Sequence, residues 1–174
     1  MRPGRGGGES DVGIAATNAV RTDTMEPSVP LEAFYLFRGV PASEVAALQA
    51  VAQRKNYATG ELIFDEGDRA EAMYVVERGV VEIVSSRGDT VVATIRAGEP
   101  FGEVAFFDAG TRSASARAAE ATQLVTFPYA AMREVLLARP TLAAAVYLNA
   151  CLFMARRLRQ TSSDYSWLSA YARS

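Results

Sequence analysis

The sequence contains no histidine, and that absence removes much of enzymology. General acid-base catalysis by imidazole, Ser-His-Asp and Cys-His nucleophile systems, and the zinc sites that use imidazole are all out of reach. Cysteine is almost absent too. Cys151 stands alone among 174 residues, so neither an intramolecular disulfide nor a thiolate metal cluster can form, and a small apolar packing role fits it better than reactivity. The expected address is the cytoplasm, and the expected protein is neither an enzyme nor a metal binder. Lysine is represented only by Lys55, so the remaining cations are arginines whose placement matters more than bulk charge. With a net charge of -2 and no block of like charge, the chain lacks a basic nucleic-acid footprint. Long apolar runs are missing as well. The longest, residues 142–155, is interrupted by Asn149 and falls short of the roughly 20 residues a membrane span needs.

What is present divides into three stretches. Residues 1–28 mix Gly4, Gly6, Gly7, Gly8 and Gly13 with Ser, Thr, Asp and Arg, without an apolar signal-peptide core, and read as a disordered arm. From Pro30, Leu31, Phe34, Leu36 and Phe37, then Val45, Leu48 and Val51, suggest two short helices divided near Gly39-Val40-Pro41. Between Arg54 and Phe127 short extended runs each close on a glycine, the punctuation of antiparallel strands with tight turns. Val80 to Ser86 against Thr90 to Arg96 is the clearest hairpin. Its connector, Arg87-Gly88-Asp89, is also an integrin-binding tripeptide, but a plain turn explains it. Helical period returns in Tyr129 to Ala138, and again from Pro140 onward as a long helix.

The long helix carries a heptad seam at Cys151, Met154, Leu158, Thr161, Tyr165 and Leu168. Packing on its own domain is one explanation and a parallel dimer is the other. Arg156, Arg157 and Arg159 form a solvated basic face or serve a site, and Tyr165, Trp167 and Tyr171 cover either a pocket or the seam.

The stretch with chemistry in it is Phe101-Gly102-Glu103-Val104-Ala105-Phe106-Phe107, followed after a loop by Arg112-Ser113-Ala114. A glycine permits close backbone approach to an anion, Arg112 supplies a planar fork for a phosphate, and Glu103 accepts from sugar hydroxyls. Taken singly, Glu103 and Arg112 could be a surface ion pair. Together the residues resemble the phosphate-binding cassette of cyclic-nucleotide-binding domains, which reads Phe-Gly-Glu, a short helix, then Arg-Ser/Ala-Ala. The likeness runs from about Leu36 to Leu168 through the turn glycines Gly60, Gly67 and Gly79.

The resemblance implies an α+β fold: an antiparallel β-roll, or jelly-roll-like double-stranded β-helix, flanked by N-terminal helices and a long C-terminal helix. Residues 29–138 would form the roll, and 139–174 a lid and dimerisation helix. It implies phosphate contacts from Gly102, Val104, Arg112, Ser113 and Ala114, ribose contacts from Glu103, and a ligand-lining strand at Val92 and Ala93. In the catabolite-activator branch of the family, an Ala-Arg-Arg-Leu run on the long helix is followed by a Thr-Ser pair that meets adenine across a dimer. Here Ala155-Arg156-Arg157-Leu158 precedes Thr161-Ser162, which passes those roles to Arg157, Thr161 and Ser162, or leaves the pair merely exposed.

The expected function is a cyclic-nucleotide sensor, with cyclic AMP favoured over cyclic GMP because Ser113 suits either base and Thr161-Ser162 suits adenine. It would be a homodimer through the long helix, signalling to an unidentified effector protein. No DNA partner is expected, since that branch continues into a helix-turn-helix domain and this sequence stops at Ser174. No membrane partner is expected either. The competing expectation is a ligand-free β-roll scaffold for oligomerisation or protein docking.

Overall fold

A computed structural model describes residues 29–85 and 90–171, with side chains to residue 162. The expected arm, the Arg87-Gly88-Asp89 connector, and the side chains of Tyr165, Trp167, Leu168 and Tyr171 lie outside the described residues. The chain enters through two 3-10 turns, Leu31–Ala33 and Tyr35–Phe37, and then helix α1, Ala42–Gln49. Strands β1 (Gln53–Tyr57), β2 (Leu62–Phe64), β3 (Ala72–Arg78), β4 (Val80–Ser85), β5 (Thr90–Arg96) and β6 (Pro100–Phe101) follow. After them come α2 (Val104–Asp108), β7 (Ser115–Ala118), β8 (Thr122–Pro128), α3 (Tyr129–Ala138) and α4 (Pro140–Tyr171). The strands form two antiparallel sheets, β1-β8-β3-β6 and β2-β7-β4-β5. This is the expected roll with flanking helices.

The first expected helix is a pair of 3-10 turns for an identifiable reason. Phe34 is extended between them, and the next amide, Tyr35 N-H, donates to the Gly98 carbonyl at 3.0 Å, so a tertiary bond draws the chain out of helical register. The break between α3 and α4 is equally local. Arg139 takes φ -136 and ψ 81, as expected of the residue before Pro140, which disfavours a helical predecessor.

Strands β3 and β8 are apolar on both faces because each face meets a different core. Met73, Val75, Val125 and Phe127 face a cluster with Leu31, Phe34, Leu36, Phe37, Val45, Leu48 and the later helices. Val76 and Leu124 face the interior of the roll with Val81, Ile95, Phe101 and Ala116. Alternate residues of each strand therefore serve different cores. At the β3–β4 turn, Gly79 has φ +90, and a Cβ there would lie 2.5 Å from Thr122 Oγ1 and 2.7 Å from the Ala121 carbonyl oxygen.

Helix α4 contributes Leu142, Val146, Ala150 and Phe153 to the buried set, a stripe at helical spacing. Asn149, which interrupts the apolar run in the sequence, donates through Nδ2 to the carbonyls of Leu36 and Arg38, each at 3.0 Å. The apolar cluster therefore crosses the expected boundary at residue 138 and takes in α4 as far as Ala150, with Phe153 packed on Tyr35 beside it. Glu77, buried on β3, accepts from Arg54 Nε at 3.0 Å and from the Val29 amide at 2.8 Å, fixing the entering chain against the sheet. Among the described residues, no helix is long and apolar enough to cross a membrane.

Candidate functional site

The cassette runs from β6 through α2 to β7. Gly102 has φ +72, a conformation in which a side chain is strained, and a Cβ there would come within 2.7 Å of Arg112 Nη1 and displace the guanidinium. Glu103 follows at the start of α2 and is only 2% exposed. Its Oε1 accepts from Arg157 Nη1 of α4 at 3.3 Å; its Oε2 is buried with no hydrogen-bond partner among the described residues. Past α2, Ala109 occupies the left-handed region at φ 55, an unusual place for alanine that costs roughly 1–2 kcal/mol and turns the chain toward Arg112.

Arg112 is pinned by its backbone and by its side chain. Its N-H donates to the Asp68 carbonyl at 2.9 Å and its carbonyl accepts from Gly67 N-H at 2.8 Å, tying it to the β2–β3 loop. Its Nη2 donates to the Ala72 carbonyl at 2.7 Å, and its Nη1 to the Gly102 carbonyl at 3.2 Å and the Tyr129 hydroxyl at 3.3 Å. The guanidinium lies 4.1 Å from the Phe64 ring centroid, in cation-π contact. Nε is buried without a partner among the described residues.

These groups converge on one small pocket that opens to solvent. Gly102, Glu103, Val104, Arg112, Ser113, Ala114 and Arg157 line it, as do Phe64, Ile83, Phe101, Ala105 and Thr111. An apolar wall of this kind accommodates a base and sugar, the carboxylate accepts hydroxyl hydrogens, and the guanidinium compensates a single negative charge. The two buried atoms without partners, Glu103 Oε2 and Arg112 Nε, fit a ligand that donates at one point and accepts at another.

Four expected residues do not line the cavity. Val92 is 53% exposed, and the register explains it: Ile83 pairs with Ala93 while Val84 pairs with Val91, which leaves Val92 as the unpaired residue of a β-bulge. Ala93 packs against the roll interior, and its cross-strand neighbour Ile83 lines the cavity instead. Thr161 and Ser162 are exposed beyond Arg157, with Ser162 Oγ donating to the Leu158 carbonyl at 2.9 Å. Sequence reading missed Phe64 and Ile83 on the cavity wall and Tyr129 behind Arg112. Strand alternation says which face a residue takes, but not which cavity that face borders.

Burial pushes the Glu103 carboxyl above its ordinary range, against the pull first of Arg157 and, less, of Arg112. The raised folded-state value means that the folded protein holds this proton more tightly than the unfolded chain. The contribution to stability is complete below the ordinary carboxylate value and is lost as pH rises through the folded one. Glu103→Gln is therefore expected to raise the ligand-free melting temperature at pH 7 while weakening ligand binding, with the thermal gain shrinking as pH falls through the carboxylate range. A variant less stable than wild type at pH 7 would contradict this.

A β-roll in which a cassette brings a buried carboxylate and a buried arginine to one cavity defines a cyclic-nucleotide-binding module. The chain belongs to that family: residues 54–139 match the family model described as the cyclic nucleotide-binding domain. The cyclic AMP receptor protein of Thermus thermophilus is 36% identical over 137 residues, covering 77% of this chain and 62% of the relative. The crystal structure of the Thermus thermophilus catabolite activator protein superposes with a TM-score of 0.65 at 33% identity, covering 78% of this chain and 63% of that one. The N-terminal domain of a transcriptional regulator from Streptomyces coelicolor A3(2) gives 0.63 at 29% identity, covering 78% and 96%. The chain spans about six-tenths of the length of the curated relatives it matches, 62% and 57% for the first two.

Proposed function

We propose that this chain is a cyclic-nucleotide sensor that prefers cyclic AMP and reports occupancy through the distal part of α4. The observation that carries the reading is a pair of buried polar atoms without partners among the described residues, Glu103 Oε2 and Arg112 Nε, on two side chains whose residues line one cavity. A ribose hydroxyl satisfies the first and a phosphodiester oxygen the second. The preference for cyclic AMP draws on the Thr161-Ser162 pair and on the relative named a cyclic AMP receptor.

Arg157 supports the signalling half of the proposal, because it joins α4 to the carboxylate that would hold the ribose. A sugar hydroxyl on Glu103 changes what Arg157 can bond. Ligand then favours one position of α4 over another, and the population shifts with occupancy. The moving part in this reading is α4 beyond Phe153, since the preceding turns are buried in the common core.

The same helix supports a homodimer. Cys151 and Leu158 of the expected seam are exposed, the latter at 69%, and Tyr147, Leu148 and Leu152 extend an apolar stripe beside them. An effector protein would read the resulting change in surface.

Calorimetric titration with cyclic AMP and cyclic GMP tests the ligand, and sedimentation equilibrium at tens of micromolar, run alongside, tests the dimer. The expected result is saturable binding, tighter for cyclic AMP. At 100 times its dissociation constant the ligand should stabilise the fold by about 2.7 kcal/mol. Equal or tighter cyclic GMP binding would overturn the preference. A dimer that binds neither nucleotide would establish the scaffold reading instead, and a monomer would remove the seam.

A further inference from the structure

Helix α3 grips the cassette at two polar points one helical turn apart. Tyr129, buried at the start of α3, donates its hydroxyl hydrogen to the Gly102 carbonyl and accepts from Arg112 Nη1. Four residues on, Arg133 Nη2 donates to the Phe106 carbonyl at 2.6 Å, with its guanidinium 4.9 Å from the Phe106 ring centroid. The spacing matches on both sides, 129 and 133 against 102 and 106, so the two elements meet in register.

The Tyr129 contact has a consequence for Arg112. In the ligand-free protein, Nη1 of Arg112 is shared between the Gly102 carbonyl and the Tyr129 oxygen, while Nη2 is held by the Ala72 carbonyl at 2.7 Å. A guanidinium that turns toward an anion releases the Gly102 carbonyl. Leaving a buried carbonyl without a donor is costly, but here the Tyr129 hydroxyl already donates to it. Burial also keeps the phenol protonated beyond its ordinary range, against the pull of Arg112, so the donor persists.

We propose that Tyr129 is a positioning residue for the phosphate-binding arginine: its hydroxyl orients Arg112 and satisfies the Gly102 carbonyl when the guanidinium engages the phosphodiester. This rests on the cyclic-nucleotide reading above. Tyr129 touches no ligand; it acts through Arg112 and Gly102.

The test compares wild type, Tyr129→Phe and Arg133→Met by calorimetry with cyclic AMP and with the two diastereomers of its phosphorothioate, in which sulfur replaces one or the other exocyclic oxygen. Tyr129→Phe keeps the ring packed on Phe106, at 5.2 Å between centroids, and leaves the Gly102 carbonyl its bond from Arg112 in the free protein. Its ligand-free melting temperature gauges the fold. The expected result is about tenfold weaker binding of cyclic AMP, and a change of about threefold or more in the ratio of the two diastereomers' affinities. Arg133→Met, which leaves Arg112 alone, should weaken both diastereomers alike.

Binding by Tyr129→Phe within about twofold of wild type would overturn the inference alone, as would weaker binding with an unchanged diastereomer ratio. A wild type that binds neither cyclic AMP nor cyclic GMP would overturn the sensor function and this inference together. In the wild type itself, proton exchange of the Tyr129 hydroxyl should stay slow in both free and bound protein. Fast exchange on adding cyclic AMP would count against the proposal without recourse to any variant.

Discussion

Arg112→Ala is expected to weaken cyclic-nucleotide binding by about 2 to 5 kcal/mol, or about 30-fold to several thousand-fold, because the ligand's charge would be buried without a counter-charge. Arg112 is 5% exposed, so solvent screens little of its interaction with an anion. The substitution reaches beyond the ligand. The carbonyl of Ala72 loses its 2.7 Å donor, and the Phe64 ring loses a cation 4.1 Å from its centroid. Calorimetry should therefore be paired with urea unfolding of the ligand-free variant, so that loss of affinity is separated from loss of fold. Affinity within about threefold of wild type in a folded variant would remove Arg112 from the phosphate site.

The largest expected loss of stability comes from Phe127→Ala, at about 3–5 kcal/mol. Phe127 is fully buried on β8 and meets Phe37 edge-on at 5.4 Å between centroids. It lies in the cluster shared by the N-terminal turns, α1, α3 and the first half of α4. Truncation opens a void where these elements converge, and their different directions prevent any one of them from closing it. The urea midpoint should fall with little change in slope, since the surface exposed on unfolding hardly alters. Phe107→Ala offers the contrast. That ring is 41% exposed, so its loss should cost much less, and equal losses for the two variants would contradict this account of the core.

Local chemistry makes several features of the fold readable in the sequence. Tyr129–Ala138 falls on the expected residues because Pro128 precedes it and Arg139, constrained by Pro140, follows it. The hairpin of Val80–Ser85 and Thr90–Arg96 also lies where alternation and turn residues place it. The cassette was legible because its residues are nearly contiguous: Gly102, Glu103 and Arg112 reach one cavity through a single turn of helix and one loop. The 3-10 turns and the bulge at Val92 were not. Each depends on a partner far away in sequence or across a strand, the Gly98 carbonyl in the first case and the β4 register in the second.

The class of ligand is written in nearly adjacent residues. The Phe-Gly-Glu and Arg-Ser-Ala segments say what kind of ligand suits the chain, and the nearly exclusive use of arginine among the cations suits an anionic one. Tertiary structure alone decided how the site is held and to what it is joined. Tyr129 reaches Gly102 and Arg112, Arg157 reaches Glu103, and Ile83 rather than Val92 faces the cavity. The physical reason is range. Turn chemistry and helix periodicity act over a few residues, whereas these bonds join positions 17 to 54 residues apart, which only the packing of α3 and α4 against the roll brings together.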